Sequence, residues 1–286
     1  MKKLLTVIFS LIALTVSSQS LTDLRQKAEE GDVASMNYLG YLLLSGNDSI
    51  ERDIPEGLKW LTHAASAGDM KAASNLGWLL VEGDIVEQDL PKGIGWLRKA
   101  AEGGLPVAQS ILGDLYRDGK GLAPDTVVAD SLYRQAFEHG LVDAGYKLYD
   151  LNSKRYAAMT PSEKVEAGKY FYIRYAPSEG VKLFYQAADE GDPTAMALLG
   201  DAYTRAIGVP YDYNLSLKYY VQAAEAGDPS AQFVIGELLE IFPDALDSFK
   251  NTDGTPLSDD PTYWFDRAAS QGVTDAMIAT RRLLGE

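Results

Sequence analysis

Seven glycines, Gly31, Gly68, Gly104, Gly140, Gly191, Gly227 and Gly272, recur in similar surroundings at intervals of 37, 36, 36, 51, 36 and 45 residues. Alanine pairs precede most of them, as in Ala64-Ala65, Ala100-Ala101, Ala187-Ala188, Ala223-Ala224 and Ala268-Ala269. A further alanine stands four residues after six of the seven. A period of this length marks one supersecondary unit repeated. Such a unit cannot bury its apolar face alone, so neighbours must stack into a continuous core, a design that favours extended binding surfaces.

The segment from Asp53 to Gly68 shows what one unit holds. Ile54, Leu58, Leu61, Ala64 and Ala65 recur at three- and four-residue steps, the spacing of a helical apolar face. Asp53 is placed as N-cap, and Gly68 as the C′ residue that takes the left-handed conformation. An aspartate recurs fifteen residues before the marker at Asp89, Asp125 and Asp212, and twelve before it at Asp260; Ala176 breaks the series. A second helix follows each marker, opened by Asp32 or Asp69, or by Asp192-Pro193 or Asp228-Pro229, with proline in the favoured first position. These second helices carry Leu39-Gly40, Leu76-Gly77, Leu112-Gly113, Leu199-Gly200 and Ile235-Gly236. Glycine inside a helix costs about 1 kcal/mol relative to alanine, so its recurrence predicts a neighbour too close for a Cβ. With the alanine pairs set opposite, the expectation is a tight antiparallel hairpin.

These features resemble the Sel-one-like repeat family, a relative of tetratricopeptide repeats. The segment AASAGDMKAASNLGWLLVEGDIVEQDLPKGIGWLRKAAEGG carries the pattern, which runs from about Ala28 to Met277. The resemblance implies an all-α protein, a right-handed α-solenoid (superhelix) of antiparallel helical hairpins, and a role as an interaction module. Two stretches depart from it. The 51-residue unit inserts residues near 151–175, where Thr160-Pro161-Ser162-Glu163 reads as a capping box opening an extra helix, and the 45-residue unit inserts a loop near 242–261. Tyr149 replaces the inner glycine in unit four, and Thr280-Arg281 stands at that place in the last helix. Ser20 and Asp23 are expected to cap the first helix of the array.

Lys2 and Lys3 precede an apolar run from Leu4 to Val16, followed by Ser17-Ser18. This reads as a signal peptide over residues 1–18, leaving 19–286 as a single exported solenoid, periplasmic or secreted. Its removal takes the net charge from −15 to −17. That field disfavours nucleic acid and anionic lipid, and no stable membrane insertion is expected after cleavage. With no cysteine, packing alone must hold the fold.

Catalytic signatures fail one by one: HExxH, G-x-S-x-G and a phosphate-cradling glycine loop are all missing. His63 and His139 lie five residues and one residue before marker glycines, read as C-terminal positions of second helices, where cationic or polar groups suit the dipole. At least nine carboxylates are occupied as helix caps. Asn251-Thr252-Asp253-Gly254 faintly resembles a calcium loop, but Phe249 stands where the first ligand is needed, so a solvated turn is expected. The chain is therefore read as no enzyme, with no catalytic residue, no metal and no cofactor.

Aromatic residues fall into two registers. Trp60, Trp96, Tyr219 and Trp264 stand eight residues before a marker, with Leu132 and Leu183 as substitutes, and read as packing between units. The residues after the inner glycine, Tyr41, Trp78, Asp114, Asp201 and Glu237, with Asp150 after Tyr149, are expected to line a concave groove by resemblance to tetratricopeptide repeats. Four residues earlier the same face would show Asn37, Ser74, Ser110, Tyr146, Ala197 and Phe233. The groove is expected to grip a protein or peptide with an aromatic-binding end and a basic stretch, as an adaptor or assembly scaffold. Two rival readings stay open: a cell-wall or other carbohydrate binder stacking sugars on Tyr41, Trp78 and Tyr146, and a hydrolase built on groove carboxylates. The cluster Tyr156, Tyr170, Phe171, Tyr172 and Tyr175 in the insertion is read as a partner-facing or dimerising element, or as a patch on a bend in the array.

Overall fold

A computed structural model describes residues 18–47, 50–247, 249 and 255–285, with side chains from residue 21 onward. Residues 1–17 of the expected signal peptide and the Asn251–Gly254 segment lie outside these residues. Among them the chain is all-α, with fifteen helices and one isolated β-bridge between Asn47 and Ile50. It divides into two compact units, Met1–Leu141 and Val142–Glu286. The first holds α1 (Ser18–Glu29), α2 (Val33–Ser45), α3 (Ile54–Ser66), α4 (Met70–Glu82), α5 (Leu90–Glu102), α6 (Pro106–Asp118) and α7 (Thr126–Glu138). The second holds α8 (Val142–Ala157), α9 (Pro161–Tyr172), α10 (Pro177–Asp189), α11 (Pro193–Arg205), α12 (Tyr213–Glu225), α13 (Pro229–Ile241), α14 (Pro261–Ser270) and α15 (Thr274–Leu284). None is long and apolar enough to cross a membrane among the described residues.

The two glycine sets answer different physical demands. A Cβ on Gly68 would meet nothing within 4 Å, yet its φ is +99°, the left-handed region that side chains disfavour. There the Asp69 N–H donates to Ala64 O at 3.0 Å and the Gly68 N–H to Ala65 O at 3.2 Å, a Schellman closure of α3. The inner glycine Gly40 is ordinary helix, but a Cβ on it would stand 2.8 Å from the Leu61 backbone nitrogen and 3.0 Å from Gly57 O. The close partner is thus the helix that follows across the hairpin loop, not the alanine pairs. Gly57, Gly93 and Gly180 complete these crossings, with Leu61, Leu97 and Phe184 filling beside them; in other hairpins the Tyr133 and Tyr220 rings cover Gly113 and Gly200 directly.

The capping aspartates perform as the sequence predicts. Asp53, Asp89, Asp125, Asp212 and Asp260 accept from first-turn amides of α3, α5, α7, α12 and α14, and Asp32, Asp69, Asp192 and Asp228 do so for α2, α4, α11 and α13. Ala176 provides no side-chain cap to α10. Three expectations need correction. Helix α1 starts at Ser18, so Ser20 and Asp23 lie inside it rather than at its cap. His63 sits in the last turn of α3 and His139 is the C-cap of α7, both on first helices.

The third correction concerns the insertion. The capping box at Thr160 and Glu163 is formed and opens α9. This helix is not a simple addition: its Gly168 meets the Phe184 ring and Gly180 O, so α9 takes the place that the Tyr149-bearing α8 would fill in a regular unit. Tyr156 and Phe171 are buried, with ring centroids 6.1 Å apart, and Tyr149 stands 5.6 Å from Tyr156. Those aromatics are spent on packing, while Tyr175 is exposed. Buried Lys164 of α9 forms an ion pair with Glu190 at the end of α10.

The register eight residues before each marker is mainly core. Trp264 is fully buried with its indole N–H donating to Ser258 O at 2.9 Å, and Trp60 is buried with its N–H 3.2 Å from Glu56. Phe249, placed where a calcium loop would need a ligand, packs against the core cluster around Leu246, Leu257 and Trp264.

Candidate binding cleft

Two adjoining hollows in the first unit lie between the second helices α2 and α4. One, of about 400 Å³, is lined by Tyr41, Leu44 and Ser45 of α2, Leu61 of α3, Asn75 and Leu79 of α4, Arg52 from the α2–α3 loop, and Asp84 and Ile85 from the α4–α5 loop. The other, of about 530 Å³, reaches α1 through Leu24 and is lined by Asn37, Tyr38, Tyr41, Asp69, Lys71 and Asn75, among others. Tyr41 and Asn75 wall both, so the two form one trough along the α2–α4 seam.

The lining follows from helical geometry. A trough between two helices takes one flank from each. From α2 it draws Asn37, Tyr41 and Ser45, four residues apart; from α4 it draws Lys71, Asn75 and Leu79, also four apart. Counted from their markers, the two series are offset, because α2 and α4 present opposite flanks to the shared seam. One register repeated in every unit therefore finds the α2 side and misses the α4 side. Asn75 carried no signal in the repeat pattern; a count by facing flanks would have found it.

Polar groups in the trough differ in how far they are engaged. Asn37 Nδ2 donates to Asp69 at 3.0 Å, and Asp69 in turn caps α4 through the Lys71 and Ala72 amides at 2.8 and 3.0 Å. The Tyr38 and Tyr41 rings stack at 6.5 Å. Arg52 Nε donates to Leu44 O at 2.8 Å. Asn75, half-buried in the middle, has no side-chain hydrogen bond among the described residues.

The other expected groove residues have varied surroundings. Ser74 and Ser110 are buried, 3 % exposed each, and turn inward from the α4 and α6 surfaces. Trp78 is half-buried against the first unit's core and lines neither hollow. Asp114 accepts from the Tyr133 hydroxyl at 2.8 Å and pairs with Arg117 at 3.3 Å. Burial, reinforced by the Asp114 charge, drives the Tyr133 hydroxyl far above its ordinary pKa, so it stays a donor. In the second unit Asp201 repeats the motif, accepting from Tyr172 at 3.2 Å and pairing with Arg205 at 2.8 Å. Each carboxylate is thus offset by an arginine about one turn on, which the sequence reading left out. Tyr146, Asp150 and Glu237 are exposed on α8 and α13, and Phe233 packs on Phe265 with centroids 5.7 Å apart.

A family profile described as Sel1 repeat matches residues 33–69, 71–105, 106–141, 167–192, 193–228 and 262–273, more than half of the chain. No curated protein matches the chain. Among solved structures, a protective antigen of uropathogenic Escherichia coli displaying an SLR fold is 28 % identical over 92 % of this chain, with a TM-score of 0.42. The match spans 59 % of that antigen's length. A Sel1 repeat protein from Oxalobacter formigenes is 27 % identical over 88 % of this chain and 93 % of its own, with a TM-score of 0.44. An immunity protein from Pseudomonas aeruginosa is 19 % identical, covering 84 % of this chain and 82 % of its own, with a TM-score of 0.35.

Proposed function

Because this chain belongs to the Sel1 repeat family, we propose that it works as an exported binding protein, an adaptor or scaffold that holds a protein or peptide partner. The partner lies along the α2–α4 trough of the first unit. The observation that carries this reading is the half-buried Asn75 carboxamide, unpartnered among the described residues at the centre of a hollow with the Tyr41 ring on its other wall. An amide that no neighbouring group engages keeps its donor and its acceptor open to a bound main chain, which can pair with both. An aromatic wall beside it offers the kind of anchor that often dominates binding energy. Export rests on the lysine-led apolar run at residues 2–16.

The test is affinity capture from the exported fraction of the source cell, with wild type and Asn75→Arg as baits. The arginine fills the trough from a position whose amide holds nothing else in place. A partner captured by wild type and reduced at least tenfold by the variant, with helicity unchanged, supports the reading. Equal capture by both baits overturns it.

A further inference from the structure

The α2–α4 trough ends in a charged pocket. The loop between α2 and α3 delivers Arg52, and the loop between α4 and α5 delivers Asp84 and Ile85, so both hairpin loops border this hollow of about 400 Å³. Its inner wall is apolar: Leu44, Leu61 and Leu79 are 6 %, 1 % and 4 % exposed. A volume near the lower end of small-ligand sites suits one large side chain rather than a length of polypeptide.

Arg52 is fixed but not used up. Its Nε donates to Leu44 O, the carbonyl near the C-terminus of α2, and that bond holds the guanidinium beside the pocket. No ion pair or other hydrogen bond engages its terminal nitrogens among the described residues. A guanidinium keeps its charge at all working pH, and two terminal nitrogens side by side match the two oxygens of a carboxylate. The guanidinium is thus a cation without an acidic partner among the described residues, set beside an apolar wall.

We infer that this pocket takes the C-terminal residue of the partner, with an apolar side chain on Leu44, Leu61, Leu79 and Ile85 and the α-carboxylate on Arg52. The inference rests on the trough being the partner site. A chain terminus fits better than an internal acidic residue because its carboxylate and its side chain leave the same Cα. One residue then satisfies the guanidinium and the apolar floor together, and the preceding peptide group runs back toward Asn75. Asp84, on the opposite loop, has no partner of its own among the described residues, so a free amino acid is the rival occupant, its ammonium on Asp84.

Methyl-detected NMR titration of the full chain separates these cases. The probes are N-acetyl-Ala-Phe as free acid, the same dipeptide as C-terminal amide, and free phenylalanine. The free acid shifts the methyls of Leu44, Leu61, Leu79 and Ile85 and binds at least tenfold tighter than the amide. Arg52→Gln brings the acid down to the level of the amide, with the spectrum otherwise retained. Equal affinity of acid and amide, a preference that survives Arg52→Gln, or phenylalanine binding as tightly as the dipeptide acid each overturns the assignment. Should neither dipeptide bind while Asn75→Arg still abolishes partner capture, the terminus inference falls and the trough reading stands. If Asn75→Arg is also silent, both fall.

Discussion

Gly77 and Gly93 face each other so closely that a Cβ on either would lie 2.8 Å from the carbonyl oxygen of the other. The contact is backbone to backbone, so no side chain can swing away to relieve it. Gly77→Ala gains about 1 kcal/mol in helix propensity, yet overpacking a closed site costs about 1–3 kcal/mol, and an immovable neighbour puts this site at the upper end. The expected net effect is destabilisation by about 1–2 kcal/mol in urea unfolding. Gly95, in the same α5 and with nothing within 4 Å, is the control: Gly95→Ala stabilises by about 0.5–1 kcal/mol. The two substitutions moving stability in the same direction would contradict the packing account.

Ala206 caps α11 at φ +55°, in the left-handed region, where Gly83 and Gly119 cap α4 and α6. An L-residue there carries a strain of about 1–2 kcal/mol, partly offset because alanine restricts the unfolded chain. Ala206→Gly is expected to stabilise by about 0.5–1 kcal/mol, read as a higher denaturation midpoint at unchanged slope. A lower midpoint would show that the cap is not strained.

The Thr160–Glu163 box gives a pH prediction. Glu163 accepts from the Thr160 backbone N–H at 2.9 Å and its hydroxyl at 2.8 Å, and the backbone bond leads in holding its pKa below the ordinary 4.5. A carboxylate whose folded pKa is depressed contributes stability above its unfolded pKa, lost as pH falls through the folded value. Wild type is therefore more stable than Glu163→Gln at neutral pH, and the gap closes on acidification below about pH 4. A gap that stays constant with pH would remove the charge from the account.

Gln232 is fully buried, donating to Ala224 O at 3.1 Å and accepting from Gln271 at 3.0 Å. Gln109 repeats the arrangement, reaching Ala101 O at 3.2 Å and His139 at 3.1 Å. Each ties the alanine pair of one repeat to the end of the next first helix. Removing one partner from a buried bond costs about 1–3 kcal/mol, so Gln232→Leu lowers stability by that order in urea unfolding. A neutral result would mean that packing alone joins these repeats.

Much of this fold is legible from spacing alone. Asp53 and Gly68 bracket α3 because capping and left-handed closure are local demands, met by residue type at a fixed offset. Crowding at Gly40 is also readable, since a helical glycine needs a reason. Its partner is not: Gly57 lies across an eight-residue loop, and the repeat pattern favoured the more frequent alanines. The trough was half legible. Tyr41 and Asn37 fall in the expected register, but Asn75 and Arg52 are set by which flanks face one another and where a loop turns, and neither leaves a periodic trace. Likewise Tyr156 and Phe171 read as surplus aromatics, because the sequence did not reveal that α9 replaces α8 in the hairpin.

A photo-crosslinking amino acid placed at position 75, in the seam between α2 and α4, tests the central claim most directly against one at the exposed position 95 of α5. Irradiation in the exported fraction should join a protein partner to the chain from position 75, with position 95 silent. Equal adducts from both positions, or adducts from position 95 alone, would contradict a partner seated in the trough.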